Sequence, residues 1–438
     1  MGLVLSFLMG SGILRILSGG KTFKIVDFFL SWGLGVGLAS QITFFSILIG
    51  GRHRHETFFF LVFVAAVLIL TIFLKKKMIV HYERQYVSLA FFLIVLFPLI
   101  VTQIFIYKSL PFGDWDAWSL WNYRANSLFR SAGDWLPVYH NAIQGKHPWL
   151  LVHYIDWGWF FLGKEVSWVP ALTALLMSVA TVGLVVFALL PLIGRFPAML
   201  AGTYLISIPF FNWHAASQYA SIFVAFYLLG SVVAIREYLK EPSLKYAVVA
   251  GSFLAFLANS KDEGVLLTVL VLFFLYGFFK KQNVKHQKGF QWAFLLLMAM
   301  FVLTEIFMRL SLGLPFVNGK YYGMDAGLIF DAGRWKVFTL FLGGNILANV
   351  LMGGIFYLFM LFLLSHLDKK IWKDSFLGLQ ISFLKVIAMF LVIFLILYIT
   401  ATTNLKWRLE VTAYRLMFIF LPTLVYMIFG VLYKNEER

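Results

Sequence analysis

The chain alternates along its whole length between long apolar runs and short polar connections. Runs of roughly 18 or more apolar residues are typical of membrane-spanning helices. Candidate spans lie at residues 25–50, 57–74, 88–107, 167–190, 196–212, 216–235, 245–259, 263–279, 290–312, 337–365, 380–400 and 414–433. Residues 1–17 are a further candidate, weakened by Arg15 and two glycines. Because the runs are solidly apolar and lack the alternation of barrel strands, we expect an all-α polytopic membrane protein with about 12–13 transmembrane helices.

Composition narrows the possible functions. Hydrophobic residues make up 61% of the chain and charged residues 13%, about half the charged fraction of an ordinary soluble protein, which excludes a water-soluble enzyme. The absence of Cys rules out disulfides, thiolate metal sites and Cys nucleophiles. The net charge of +16 is best explained by cationic loops that meet anionic headgroups, so membrane lipids are expected partners and nucleic acid is not.

The distribution of charge between the loops predicts the orientation. Loops around Lys24, Lys75–Lys77, Lys240 and Lys280 belong to the set with more Lys and Arg, which the positive-inside rule makes cytoplasmic. Arg52 and Arg54 are an exception on the outer side. The outer loops hold Asp114, Asp116, His140, His147, Lys261, Asp262, Glu263, Asp325, Arg408 and Arg415. Any chemistry is therefore expected on the extracytoplasmic face.

The longest non-spanning segment, residues 108–166, is rich in tryptophan. It contains half of the chain's 14 Trp residues: Trp115, Trp118, Trp121, Trp135, Trp149, Trp157 and Trp159. Because Trp favours the headgroup level, we expect this loop to lie along the membrane surface.

The first part of this loop predicts an amphipathic interfacial helix. Pro111 and Gly113 break the preceding helix, and Asp114 is a candidate N-cap. One apolar stripe holds Ala117, Trp121, Ala125 and Leu128, while Ser119, Asn122, Asn126 and Arg130 fall elsewhere. Asp116 lies in the first turn beside three tryptophans, where a carboxylate is a candidate general base. On an ideal helix Asp114 points about 160° away from Asp116, so we expect separate roles.

His147-Pro148 precedes a very apolar stretch that is too short for a span, and we expect a second surface or re-entrant helix there. His147, His153 and Asp156 lie within this region, but their spacing matches known metal ligand sets poorly. No metal site is predicted from it.

Charged residues also lie where the outer membrane interface is expected. Lys261, Asp262 and Glu263 join two apolar runs with almost no loop, and such charges usually face a protein cavity. A charged helical turn is one interpretation. In the other, Lys261 meets an anionic headgroup and Glu263 contacts a sugar.

The segment 404–415 precedes the last span. Lys406 and Glu410 form a predicted surface pair. Arg408, Thr412 and Arg415 are spaced to share one face of an α-helix, so the two arginines either grip a phosphate or anchor the chain at the interface. Glu305 and Arg309 form a predicted structural pair, and the spacing of Lys320, Tyr321, Tyr322, Asp325 and Arg334 assigns no role to the loop at 313–336.

Taken in order, these motifs resemble the GT-C superfamily of integral-membrane glycosyltransferases, close to bacterial relatives of the dolichyl-phosphate-mannose protein mannosyltransferases. The resemblance rests on Trp115-Asp116-Ala117-Trp118 with Trp121 and Arg124-Ala125, His147-Pro148, Lys261-Asp262-Glu263-Gly264, and Trp407-Arg408-Leu409 followed by Arg415 and Pro422. In the family the acidic loop normally follows the first span, whereas at least two spans precede it here. The resemblance therefore implies a catalytic core at 88–438, which includes loop 108–166, and extra transmembrane helices at 1–87.

The resemblance implies a sugar donor on a polyprenyl phosphate, an acceptor on a glycan, lipid or protein, and inversion of the anomeric centre, without a cofactor. Asp116 falls on the position of the acidic base, with Asp114 nearby. Lys261, Arg408 and Arg415 would neutralise the leaving phosphate, and Glu263, His147 and Trp118 are further candidates for substrate binding. The implied location is the plasma (inner) membrane.

Two alternatives stay open. A glycan-lipid polymerase or ligase usually has its large outer loop late in the chain, whereas the large loop is early here. A transporter or flippase of lipid-linked glycans often has repeated halves and broken helices at mid-membrane. The sequence has no visible internal repeat.

Overall fold

The computed structural model describes residues 1–18, 23–75, 86–131, 134–140, 147–282, 323–341 and 375–432, with short pieces between 291 and 313 and at 343–344. These parts of the chain are predominantly helical, and the β-pairing found in them is one isolated bridge between Met324 and Ala401. The all-α prediction is confirmed for them.

The helices α1–α13 are Gly2–Leu17, Ile25–Gly50, Arg54–Lys75, Tyr86–Ser109, Asn122–Arg130, Leu136–His140, Leu150–Leu162, Trp168–Ile193, Arg195–Ser207, Pro209–Ala216, Ser221–Lys240, Leu244–Ala258 and Asp262–Gln282. Later in the chain come α14 Ala332–Phe341, α15 Ser375–Thr400, α16 Leu405–Arg408 and α17 Tyr414–Leu432. Two π-helical turns matter for the site: Ala117–Trp121 leads into α5, and Leu409–Ala413 joins α16 to α17.

Among the described residues, 8 helices are long and apolar enough to cross a membrane. They are α2, α3, α4, α8, α11, α13, α15 and the continuous stretch through α16 and α17. The chain is therefore a multi-pass membrane protein. The apolar helices α1 and α12 are shorter, at 16 and 15 residues. The predicted spans at 290–312 and 337–365 lie largely outside the described residues.

One predicted span is wrong. Residues 196–212 form two short helices, α9 and α10, and not a single span. Ile208 between them is extended, with φ −78° and ψ 111°, because a residue before proline is disfavoured in the helical region. Pro209 then begins α10 at its first position, where no backbone N–H is needed.

The centre and the rim of the bundle differ in burial. Of the apolar segment of α11, 94% is buried, and this helix packs between α8, α12 and α17. Of the apolar segment of α3, only 17% is buried. Most of the exposed side chains described in α3 and α4 are large and apolar, among them Phe60, Phe63, Ile94 and Phe105, as expected of a face turned to lipid. Helix α2 packs on α1, α7, α8 and α12.

The division between residues 1–87 and 88–438 stays a prediction.

Helices α1 and α2 touch through their backbones. A Cβ atom on Gly35 would lie 1.8 Å from the carbonyl oxygen of Ser6, and one on Gly10 would lie 1.9 Å from that of Ser31. Small residues that permit such close approach are typical of helix pairs in membranes.

Charged residues gather at the two ends of the helices. At the predicted cytoplasmic end, Lys24 pairs with Glu237 at 3.0 Å, Lys245 with Asp27 at 2.6 Å, and Arg236 with Glu237 at 3.1 Å. The opposite ends of the same helices carry the residues predicted to lie outside. The alternation of the spans thus brings most of the candidate functional residues to one end of the bundle.

Candidate functional site

A glycine turn positions the first acidic segment. Gly113 has φ +79°, and a Cβ atom there would lie 2.5 Å from the Cβ of Ala117 and 2.9 Å from the carbonyl oxygen of Ser217. Only glycine meets both requirements. The turn ends the path of α4 and starts a new helix at Asp114 and Trp115, so the predicted break at 111–113 is confirmed.

The amphipathic stripe of the next helix is confirmed, since Ala117, Trp121, Ala125 and Leu128 are all buried. Asn122, predicted on the polar face, is also buried. Its amide donates to the carbonyl oxygen of Phe112 at 2.8 Å and to Oε1 of Gln218 at 3.0 Å. The π-helical turn before α5 changes the angular spacing that a regular α-helix would give, and these two acceptors satisfy the N–H groups of the buried amide.

The prediction that the tryptophan-rich loop lies flat on the membrane surface is wrong for most of its tryptophans. Four are buried in protein: Trp121, Trp149, Trp157 and Trp159. Trp115 and Trp118 are exposed, with their rings edge to face and 4.9 Å apart. Helix α7 is likewise buried throughout residues 150–160, so it is not a surface helix.

The carboxylate of Asp116 accepts a hydrogen bond from the guanidinium of Arg415, although 299 residues separate them. The sequence predicted one as a general base and the other as a phosphate ligand, and the structure puts them in direct contact. Both side chains are partly exposed, Asp116 by 30% and Arg415 by 13%. This ion pair is therefore reachable from outside the protein.

Tyr219 and His214 surround the pair. The guanidinium carbon of Arg415 lies 4.7 Å from the centre of the Tyr219 ring. Burial raises the pKa of the Tyr219 hydroxyl above its ordinary value, so it stays a neutral donor. Burial, helped by the positive charges of Arg415 and Lys261 and opposed by Asp114, lowers the pKa of His214 to about 4. His214 is therefore neutral at pH 7.

Asp114 begins the helix, as predicted, but it is not turned away from the site. Its Oδ1 accepts from the backbone N–H of Trp115 at 2.7 Å, and its carbonyl oxygen accepts from that of Ala117 at 2.8 Å. Its carboxylate also interacts with the Tyr219 hydroxyl, on which Asp116 acts electrostatically as well. The angle expected from an ideal helix does not apply because Asp114 precedes the first helical turn.

The tight turn between α12 and α13 is confirmed. Lys261 pairs with Glu263 at 2.8 Å, and both side chains are mostly buried. His147 pairs through Nδ1 with Asp262 at 2.6 Å. Lys261 also contributes to the electrostatic field at His214. The turn is therefore within electrostatic range of His214, whose ring packs 6.2 Å from that of Tyr219.

Arg408 is separated from Arg415. Residues 409–413 form a π-helical turn, which breaks the regular α-helical spacing that would align the two arginines. Arg408 faces the ring of Tyr398, 5.8 Å from its centre, whereas Arg415 faces Asp116 and Tyr219. The predicted shared face therefore holds for Arg408 and Thr412, whose hydroxyl lies 2.6 Å from that of the same Tyr398, but not for Arg415. The surface pair Lys406–Glu410 is present at 4.0 Å.

The three residues considered as metal ligands have separate partners. Asp156 pairs with Arg54, and His147 pairs with Asp262. Nε2 of His153 shares a hydrogen bond of 2.7 Å with the hydroxyl of Tyr139.

The predicted pair Glu305–Arg309 cannot be placed because Glu305 lies outside the described residues, as do Lys320, Tyr321 and Tyr322. Asp325 accepts from the N–H of Gly327 at 2.8 Å. Arg334 donates to the carbonyl oxygens of Tyr398 and Ala401. Through these contacts, Asp325 shapes the turn before α14, and Arg334 in α14 binds the carboxyl end of α15.

Sequence reasoning missed Tyr219, His214 and Gln218. Among the residues that the structure describes, Gln218 is the one non-glycine residue with a positive φ, at +61°. This backbone conformation is uncommon and often found at functional sites. One signal was available. The polar stretch from Asn212 to Ser221 interrupts two apolar runs on the predicted outer side.

Comparison of the sequence with protein-family models and with curated proteins, and of the fold with solved structures, finds no match.

Proposed function

We propose that this chain is a multi-pass membrane glycosyltransferase of the GT-C type, which transfers a sugar from a polyprenyl-phosphate donor to an acceptor hydroxyl. The observation that carries the proposal is the contact between Asp116 and Arg415 at one end of the bundle. Tyr219 lies against this pair, and Lys261 acts on the same surroundings. A base and several cations in one place suit this reaction.

The reaction needs a base for the acceptor and cations for the leaving group. Asp116 takes the proton of the acceptor hydroxyl while the acceptor oxygen forms a bond to the anomeric carbon, from the face opposite the phosphate. The bond between that carbon and the phosphate oxygen breaks, and its electron pair leaves with the polyprenyl phosphate. Arg415 and Lys261 balance the charge that develops there. Asp114 and Tyr219 position the pair.

In the free protein Arg415 occupies the carboxylate that must act as base. Phosphate offers the same guanidinium a competing bidentate partner. On this proposal, donor binding draws Arg415 from Asp116 and frees the carboxylate for the acceptor proton. The partial exposure of both side chains supports this exchange because neither charge must cross an apolar core.

The remaining candidates fall around this centre. Lys261 is held by Glu263 beside it, and we assign Lys261 to the phosphate and Glu263 to its support or to a sugar hydroxyl. Trp118 is exposed and offers a ring face, whereas His147 and Asp262 brace the turn. Arg408 is buried against the ring of Tyr398, and we assign it to packing at this end of the bundle. We place the site on the extracytoplasmic face of the plasma membrane.

Donor binding tests this proposal. Purified protein in detergent would be titrated with a polyprenyl phosphate, followed by lipid mass spectrometry of what stays bound. Arg415→Ala should weaken binding by about 10- to 150-fold, the worth of a charged hydrogen bond of about 1.5–3 kcal/mol. Asp116→Asn should bind as well as wild type or more tightly because the competing carboxylate is gone.

Arg130→Ala is the matched control, since Arg130 pairs with Glu165 on an exposed surface outside the site. Equal binding by wild type and Arg415→Ala would contradict the proposal. A flippase or a polymerase would also bind the lipid. Transfer to an acceptor hydroxyl with inversion, measured by the anomer of the product, separates the transferase from a flippase.

A further inference from the structure

The turn between α10 and α11 has an uncommon backbone conformation. Helix α10 ends at Ala216, and the N–H of Ser217 donates to the carbonyl oxygen of Trp213 at 3.0 Å. Gln218 then lies in the left-handed region, with φ +61°. Helices often end with a residue in this region, but it is usually glycine because a Cβ atom makes the conformation costly. A glutamine here is therefore expected to have contacts that offset this cost.

The Gln218 side chain contacts both ends of the acidic segment, by which we mean residues 111–122. It is buried, and its Oε1 accepts from the amide of Asn122 at 3.0 Å. Its Nε2 donates to the carbonyl oxygen of Pro111 over a longer distance, 3.4 Å. The Asn122 amide also donates to the carbonyl oxygen of Phe112 at 2.8 Å. The Gln218 amide therefore closes the acidic segment into a loop.

The two neighbours of Gln218 contact the middle of the acidic segment. The carbonyl oxygen of Ser217 accepts from the N–H of Asp114 at 3.3 Å, and the Tyr219 hydroxyl interacts with the Asp114 carboxylate. Gly113 permits this close approach, since a Cβ atom there would lie 2.9 Å from the Ser217 oxygen and 3.1 Å from the Cβ of Gln218. Three consecutive residues thus hold the acidic segment at its ends and in its middle.

We propose that Gln218 is a positioning residue, which fixes Asp116 for the acceptor and Tyr219 against Arg415. It acts through the acidic segment and Tyr219, because its own side chain is buried. The role of Asp116 as base rests on the proposed function. A strained backbone persists where surrounding contacts over-determine it, and here those contacts are hydrogen bonds that a glycine could not make.

Hydrogen exchange of the acidic segment, measured by mass spectrometry on the purified full chain, tests this role alongside sugar transfer from a polyprenyl-phosphate donor. Gln218→Gly relieves the strain while it removes the hydrogen bonds, so the melting temperature should stay within about 4 °C of wild type. Exchange at 111–122 should still accelerate by about 2- to 12-fold, the worth of one hydrogen bond.

Turnover and donor binding should respond differently in Gln218→Gly. Turnover should fall by about 10- to 100-fold, since a misplacement of about 1 Å can cost about 10²-fold in rate. Affinity for polyprenyl phosphate should stay within about threefold, far less than the loss expected in turnover, because Lys261 and Arg415 lie outside the acidic segment. A merely structural role would not separate the two quantities.

Two further variants separate strain and burial from positioning. Gln218→Ala loses the same hydrogen bonds but keeps the strain, so it should match Gln218→Gly in exchange and turnover and melt at a lower temperature. Gln380→Ala is the matched control, because Gln380 is also buried and donates to the carbonyl oxygen of Met427 at 3.1 Å, towards the opposite end of the bundle. It should leave exchange at 111–122 and turnover unchanged.

Either of two results in Gln218→Gly would overturn the proposal: exchange of the acidic segment as slow as in wild type, or turnover equal to that of an active wild type. Faster exchange in the variant, combined with a wild type that neither binds polyprenyl phosphate nor transfers sugar, would support the hold of Gln218 on the segment and contradict the transferase.

Discussion

Two ion pairs in this protein differ in how far their side chains are buried. The side chains of Arg54 and Asp156 are almost completely buried, whereas those of Asp116 and Arg415 are partly exposed. Breaking a buried pair leaves an uncompensated charge, so such a pair is fixed. A partly exposed pair is held far more weakly and can exchange partners with a bound anion. This difference separates the structural pair from the one we assign to function.

His214 should make stability depend on pH. Its pKa is about 4 in the folded protein because burial disfavours the charged ring, against about 6.5 when unfolded. The unfolded state therefore binds more protons between these values, so stability is complete above pH 6.5 and falls as the pH drops towards 4. Between pH 7 and 4.5 the loss should be about 2 kcal/mol.

The measurement is denaturation of the purified protein at several pH values, with His214→Asn as the comparison. The variant lacks the titrating ring and should lose correspondingly less stability on acidification. The same decline in both proteins would show that His214 is not responsible.

At the residue scale, sequence patterns selected candidate residues but did not predict which of them are in contact. Asp116 and Arg415 were both proposed for the site, but their pairing depends on the packing of helices 299 residues apart. Arg408 was grouped with Arg415 because regular α-helical spacing was assumed, and the π-helical turn invalidates that spacing. Tyr219 was missed because the predicted span at 216–235 included it and so hid the polar stretch from Asn212 to Ser221.

Among the helices, the Arg54–Asp156 pair joins α3 to α7. Arg54 also donates to the carbonyl oxygen of Leu128 at 2.9 Å in α5. This contact explains why an arginine lies on the predicted outer side, where the charge rule disfavours it. It has a structural partner there.

Removal of one partner should destabilise the protein strongly. Arg54→Ala or Asp156→Ala leaves a buried charge unpaired, and we expect a loss of about 3–5 kcal/mol. The double variant Arg54→Met/Asp156→Leu removes both charges and should recover most of that loss. Thermal denaturation in detergent measures all three. If each single variant is as stable as Arg130→Ala, which breaks an exposed pair, the structural role is refuted.

At the helix scale, the apolar pattern predicted most spans within a few residues because a membrane helix must be long and continuously apolar. It failed at 196–212, where Pro209 divides the segment into two helices. It also failed for the tryptophan-rich loop. A Trp at the headgroup level and a Trp buried between helices have the same local sequence signature, and only packing distinguishes them.

For the whole molecule, we expect the end of the bundle that carries Asp116 and Arg415 to lie outside the cytoplasm. Because the chain has no Cys, single-cysteine labelling is free of background. In intact cells, Asp325→Cys, an exposed residue near the site end, should react with an impermeant reagent. Glu241→Cys, exposed at the opposite end between α11 and α12, should react only after the membrane is opened. The reverse labelling would place the site in the cytoplasm.

The central claim is that Asp116 is the base for sugar transfer. The most direct measurement is turnover of purified Asp116→Asn with a polyprenyl-phosphate sugar and a hydroxyl acceptor, alongside donor binding to the same protein. Loss of a general base should reduce transfer by about 10²–10⁴-fold, with donor binding as tight as in wild type or tighter. Turnover within about threefold of wild type, far short of the loss that a missing base causes, would contradict the account.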